Sequence, residues 1–259
     1  MPIPRVLSIA GSDSGGGAGI QADLKAFAAC GAHGMTAITA ITVQNTVAVS
    51  AVHTVPPDVI VGQVGAVVDD IGVDAIKIGM LGGVATIDAV ARALELVPDT
   101  VPVVIDPVMV AESGAVLLEP DARGALAERL LPRAAVVTPN VPEARMLTGL
   151  DEAGAEVLAR AVLALGPRAV VVTGGHRDEA TDVFYDGTRL VEIPGERYPD
   201  GAAHGSGCTH SSVLAARLAW GDDPLEAAKR AKAMASAAVR DGLAELGAGA
   251  GPVSVLGRR

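Results

Sequence analysis

Aromatic side chains are nearly missing: two Phe, two Tyr and one Trp in 259 residues. The interior must therefore be filled by Ala, Val, Leu and Ile, the usual filling of a parallel sheet covered by helices on both faces. Half of the residues are hydrophobic. Yet the longest apolar runs, such as Val101 to Ile105, stop far short of the roughly 20 residues a membrane-spanning helix needs, so no membrane partner is expected. The stretch Met1 to Ala10 has one Arg and a short apolar run that enters a glycine-rich turn, too short for a secretory signal, and a cytoplasmic protein is expected. Basic runs and aromatic platforms are also lacking, and a formal net charge of -10 opposes phosphate backbones, which excludes nucleic acid as a partner. Cysteine occurs only twice, as Cys30 and Cys208, and nothing about the pair requires a disulfide. A chain of this length suits one α/β domain over 1–259.

Short β-rich runs alternate with longer amphipathic segments, the rhythm of βαβ units in a mostly parallel sheet. Strands are expected at Arg5 to Ala10, Met35 to Val43, Ala75 to Ile78, Val101 to Ile105, Ala134 to Thr138 and Ala169 to Thr173. Helices are expected at Ile20 to Cys30, Pro57 to Asp70, Ala85 to Leu96, Asp121 to Leu130, Val141 to Leu147 and Glu152 to Leu165, then at Thr209 to Trp220 and Pro224 to Leu243. The pattern changes once: Thr181 to Tyr185 and Arg189 to Ile193 flank Asp186-Gly187, which predicts a small antiparallel edge hairpin. The Gly/Ala-rich tail after Leu246 is expected to be loose.

Two glycine clusters carry the chemistry. The first, Gly11 to Gly19, follows a strand and opens a helix, so its backbone can approach a ligand at the carboxyl edge of the sheet; the alternative is a merely flexible turn. It holds no Lys, which excludes a P-loop, and no Asp or Glu lies between Asp23 and Asp58 to complete a dinucleotide fingerprint. The second strand ends in Gln44 instead, an amide suited to a ring that presents a donor and an acceptor. The second cluster, His204 to Thr209, precedes an apolar helix, and its amides can form an anion site for phosphoryl charge. The same positive potential is expected to lower the pKa of Cys208. His204, Cys208 and His210 suggest zinc, but a fourth ligand is missing.

At the next strand ends stand Asp106-Pro107-Val108-Met109 and Asn140-Val141-Pro142-Glu143. Asp106 and Glu143 can position Mg²⁺ with Asn140 nearby, whereas each alone reads as a helix cap or first-turn acid. Thr173-Gly174-Gly175-His176 is either a tight turn or a border of the nucleotide. Lys229 and Lys232 read first as solvated surface, with Lys232 also a nucleotide candidate. Met80 is a core gap-filler or the wall of an apolar ring pocket.

In order, the segments Ala10 to Asp23, Val43 to Thr46, Lys77 to Leu81, Asp106 to Met109, Asn140-x-x-Glu143, Thr173 to His176 and Gly205 to Thr209 resemble the hydroxymethylpyrimidine (phosphate) kinases of the ribokinase superfamily. The resemblance implies a ribokinase-like fold in which ATP and Mg²⁺ serve two successive transfers in thiamin biosynthesis. The first goes to the hydroxymethyl group of 4-amino-5-hydroxymethyl-2-methylpyrimidine, the second to the resulting monophosphate. It places Gly11, Asp23, Gln44, Met80 and Val108 around the pyrimidine, and Gly205, Ser206, Gly207 and Cys208 in the anion hole. Cys208 stands where most superfamily members have a catalytic Asp. Asn140, Thr173, Gly175, Thr209 and Lys232 are the candidate nucleotide contacts, and superfamily relatives imply a homodimer. Three positions depart from the pattern: Ser206 for Thr, Glu112 in a segment that can cover phosphates, and His210 after the anion hole. The competing readings are a pyridoxal or pyridoxine kinase on the same fold and a non-catalytic nucleotide or vitamin sensor.

Overall fold

Alternation along the central strands decides the architecture. In β1 (Arg5–Asp13), Leu7 and Ile9 face one side and Val6 the other; in β5 (Val103–Ile105), Val103 and Ile105 are separated in the same way from Val104. A strand that is apolar on both faces must be covered on both. The computed structural model describes residues 2–174, 180–199 and 201–257. On the first face lie Ile60 and Val64 of α2 (Pro57–Asp70), Ile87 and Val90 of α3 (Val84–Leu94), Leu126 of α4 (Ala122–Arg129), and Leu158 and Val162 of α6 (Ala155–Leu163). On the second lie Ala26 and Phe27 of α1 (Gly19–Ala29), Val213 and Leu214 of α7 (Ser206–Ala219), and Ala227, Ala228 and Ala231 of α8 (Pro224–Arg240). Both phenylalanines, Phe27 and Phe184, are in this second cluster and fully buried. Aliphatic side chains fill the rest.

The remaining elements are β2 (His33–Gln44), β3 (Val49–Thr54), β4 (Ala75–Ile78), β6 (Val136–Val137), α5 (Val141–Thr148), β7 (Val170–Val172), β8 (Asp182–Tyr185) and β9 (Leu190–Ile193). They form one nine-stranded sheet in the order β3-β2-β1-β4-β5-β6-β7-β8-β9. The six strands from β2 to β7 run parallel, and β3, β8 and β9 are antiparallel to their neighbours. The result is a mostly parallel sheet between two helical layers, the architecture expected from the sequence, with antiparallel edges.

Four local expectations change. A second antiparallel edge exists at β3, whose residues are exposed from Ser50 to Thr54; with neither face buried, the strand carries no alternation to read. The β8–β9 connection is a longer turn than Asp186-Gly187 alone, because Asp186 Oδ1 accepts from the amides of Thr188 and Arg189. Helix α7 starts at Ser206 rather than Thr209. The tail is not loose: Leu243 N donates to Pro252 O, Val253 N to His204 O, Ser254 N to Ala238 O and Gly249 N to Thr46 Oγ1. Among the described residues no helix is long and apolar enough to cross a membrane.

Candidate active site

Strand order changes direction at β1, which lies between β2 and β4, and ligands of open α/β sheets bind outside the carboxyl ends of strands at such a point. A cavity of about 690 Å³ opens there. Gly11 of β1, Gln44 at the end of β2, Met80 after β4 and Val108 after β5 line it, as do Asn140, Thr173 and Lys232 further along the sheet order and on α8. Asp106, Glu143 and the Gly205 to Cys208 segment lie on the same wall system between them. Most residues singled out in the sequence therefore converge.

Asp13, not singled out in advance, organises the first glycine turn. Its carboxylate accepts from Gly15 N at 2.7 Å, Gly17 N at 3.0 Å and Ala18 N at 2.9 Å, and His204 Nε2 lies 3.3 Å from Oδ2. Burial opposes the charge, but His204 and the amides of Ala18 and Gly15 outweigh it and hold this carboxyl below its usual range. An Asp that opens a Ser/Gly run is an Asx-turn signal, so the role was legible in principle. On β2, Gln44 is fixed from both sides: Ser14 Oγ donates to Gln44 O at 2.6 Å, and Thr42 Oγ1 lies 3.0 Å from Gln44 Oε1.

Gly205 caps α7 with φ 82°, and a Cβ there would overlap the carbonyl oxygen of Gly17. The two glycine clusters thus touch through their backbones. Ser206 N already donates to Ala203 O, so the first-turn amides without an intrahelical acceptor are those of Gly207 and Cys208. The anion site is narrower than four residues. Cys208 also departs from expectation. Burial pushes its thiol up to about 12; Lys77 beneath it and an N–H from Gly19 favour the anion, while Asp106 and Asp23 oppose it. Desolvation and two nearby carboxylates outweigh the helix terminus.

Two candidate contacts lie below the cavity wall instead of on it. Asp23 is fully buried and accepts from Lys77 Nζ at 2.9 Å, Ser8 Oγ at 2.6 Å and Ser212 Oγ at 2.7 Å, so it supports the floor and does not surround a ring. Thr209 is 1% exposed and turned into the interior by the register of α7, which removes it from the nucleotide contacts. Gly175 lies outside the described residues. Lys232 is not a surface residue: it is 8% exposed, and its Nζ donates to Asp182 Oδ1 at 2.7 Å. Sequence reasoning missed Lys77 as a support, although a Lys in the buried run Ala75-Ile76-Lys77-Ile78 is itself the signal.

Asn140 and Glu143 form a reciprocal cap on α5: Glu143 N donates to Asn140 Oδ1 at 2.8 Å and Asn140 N to Glu143 Oε2 at 2.9 Å. The cap and the site reading hold together, since Glu143 also lines the cavity with Asp106. Ser211 Oγ donates to Asp106 Oδ2 at 3.0 Å. Burial raises both acids; Asp106 adds to the rise at Glu143, which is pushed up to about 8, while Lys77 works against the rise at Asp106. Two buried carboxyls whose ionised form burial disfavours fit a divalent oxygen-seeking cation such as Mg²⁺, which would favour that form. No group of three metal-ligating side chains occurs among the described residues, so His204, Cys208 and His210 do not make a zinc site.

A family model described as phosphomethylpyrimidine kinase matches residues 13–254. A hydroxymethylpyrimidine/phosphomethylpyrimidine kinase of Rhizobium meliloti is 51% identical over 95% of this chain and 95% of its own. A thiamine biosynthesis bifunctional protein of Geobacter sulfurreducens is 46% identical over 98% of this chain and 53% of its own. Among solved structures, a pyridoxal kinase from Staphylococcus aureus in complex with ADP superposes with a TM-score of 0.89 at 35% identity, covering 98% of this chain and 94% of that one. With the family match running from within the first glycine cluster through the Asp106/Glu143 pair and the second cluster, the chain belongs to the phosphomethylpyrimidine kinase family.

Proposed function

We propose that the chain, as one kinase domain over 1–259, transfers the γ-phosphoryl group of ATP to the hydroxymethyl oxygen of 4-amino-5-hydroxymethyl-2-methylpyrimidine, and then a second one to the monophosphate, in thiamin biosynthesis. The observation that carries this reading is the convergence of parts on one cavity: Gln44 with Gly11, Met80 and Val108, the start of α7 at Gly207 and Cys208, and the Asp106/Glu143 pair. Gln44 reads the aminopyrimidine edge, with Gly11, Met80 and Val108 against the ring. Asn140, Thr173 and Lys232 take the nucleotide. Phosphoryl transfer needs positioning and charge stabilisation more than covalent help, and the amides at the start of α7 supply both. Asp106 and Glu143 hold Mg²⁺, which neutralises phosphate charge. Cys208 is a neutral thiol at pH 7 and already carries its proton, so it sits beside the hydroxymethyl oxygen without acting as base, and the alcohol proton passes to an oxygen of the transferred phosphoryl group as the new O–P bond forms and the bond to the ADP oxygen breaks. Cytoplasmic location and a homodimer belong to the same proposal.

A second reading has a specific observation behind it, the likeness to a pyridoxal kinase. Glu112 on the cavity wall also sets the two transfers apart, because its charge opposes a phosphorylated acceptor. Steady-state ADP release decides among these. Fast turnover is expected with the hydroxymethylpyrimidine, slower turnover with its monophosphate, and little with pyridoxal. Robust turnover with pyridoxal and none with the pyrimidine would overturn the proposal.

A further inference from the structure

On the nucleotide side of the cavity, Asp182 of β8 gathers three groups from different parts of the chain. Its Oδ1 accepts from Lys232 Nζ of α8 at 2.7 Å and from Gly174 N, just after β7, at 2.8 Å. Its Oδ2 lies 3.3 Å from His210 Nε2 of α7, off-line for a hydrogen bond. Asp182 is 1% exposed, His210 4% and Lys232 8%, and all three border the cavity. The arrangement has a built channel: Lys232 passes over Gly195, where any Cβ would overlap its Cε. A carboxylate this deep is costly unless paired, and here burial is outweighed by His210, Lys232 and the Gly174 amide, which keep it ionised. Such a group is expensive as mere packing.

Accepting the kinase reading for the identity of the nucleotide, we propose that Asp182 is a positioning residue for it. Asp182 holds the Lys232 ammonium at the cavity wall before the nucleotide arrives. A lysine normally loses much side-chain freedom when it grips a phosphate; here that loss is incurred on folding, so binding retains more of the contact. Lys232 uses one donor on Asp182 and keeps two for nucleotide oxygens. His210 closes the second oxygen of Asp182 against water.

The test is a double-mutant cycle read by calorimetric ADP binding, with thermal melts and pyrimidine binding as controls. Lys232→Met should weaken ADP about tenfold, the effect of one charge-assisted hydrogen bond. Asp182→Asn should weaken it about fivefold, and the double variant no more than Lys232→Met alone, because Asp182 acts through Lys232. Pyrimidine affinity should stay within about twofold throughout, as expected of contacts confined to the nucleotide side. If Asp182→Asn does not fold, Gly195→Ala, which displaces Lys232 and removes no charge, should give the same selective loss. Independent losses that multiply, equal losses for both ligands, tighter ADP binding in Asp182→Asn or no ADP binding by the wild type would each overturn the proposal. A wild type that binds ADP but phosphorylates no pyrimidine would defeat the proposed function, and the cycle would still decide the role of Asp182.

Discussion

Lys77 and Asp23 are both fully buried, with Nζ 2.9 Å from Oδ1. Each makes the other tolerable, and Ser8 and Ser212 satisfy the remaining lone pairs of the carboxylate. Breaking such a pair from one side costs more than the pair contributes, because the survivor is stranded in a low-dielectric interior. Lys77→Met is therefore expected to lower unfolding free energy by about 3–5 kcal/mol in urea titration, with Asp23→Asn in the same chain recovering part of it. A loss under about 1 kcal/mol, the range of an exposed pair, would show that water reaches the site. Lys77 stood inside a motif quoted from the sequence, yet its role was not legible there. Its partner lies 54 positions away, and only the packing of α1 and α7 over β4 joins them. For the same reason Asp23 was read as a ring contact when it is a support below one.

At the scale of elements, the start of α7 matters most. Gly205 reaches a positive φ that other residues avoid, and its backbone rests against that of Gly17. Gly205→Ala is expected to cost about 1–3 kcal/mol of stability through strain and to lower kcat for the first transfer more than ADP affinity, since it separates the two glycine turns and displaces the Gly207 and Cys208 amides. Unchanged kcat in a folded variant would show that the contact is incidental. Elements that declare themselves locally were legible: the valine-rich strands, the Asn140-x-x-Glu143 cap, and the hairpin about Gly187. β3 was not, because it is solvated on both faces and is held to β2 by its ladder and the Ser50 hydroxyl, with no apolar face to read. The start of α7 was misplaced for a related reason. The helix begins where Gly205 docks on Gly17, a contact from the far end of the chain.

For the whole molecule, the Asp106/Glu143 pair links stability to pH and, under the proposed Mg²⁺ role, to metal as well. Glu143 titrates near 8 in the folded chain against an ordinary value of 4.5, so between those limits the folded state holds the extra proton and metal-free stability falls as pH rises. Under the proposed Mg²⁺ role, a cation held by the ionised pair would reverse the balance by displacing that proton. The rise in Tm produced by MgCl2 is accordingly expected to be larger at pH 8 than at pH 5.5, with stability of the metal-free protein declining over the same interval. Equal Mg²⁺ shifts at both values would remove these two acids from metal binding.

The tail described above has a consequence for how the molecule is made. His204 faces Asp13 across 191 positions, and the strand-like pairing of His204 with Pro252 holds that segment in place. A chain growing on the ribosome makes its first glycine turn at the end of β1, but the counterpart of that turn emerges only after β9. Contacts of this sequence separation form slowly, after local βαβ units have condensed. The ligand cavity thus needs segments made after the last strand of the sheet, and a chain halted just past β9 is expected to carry the sheet's strands without a complete ligand site.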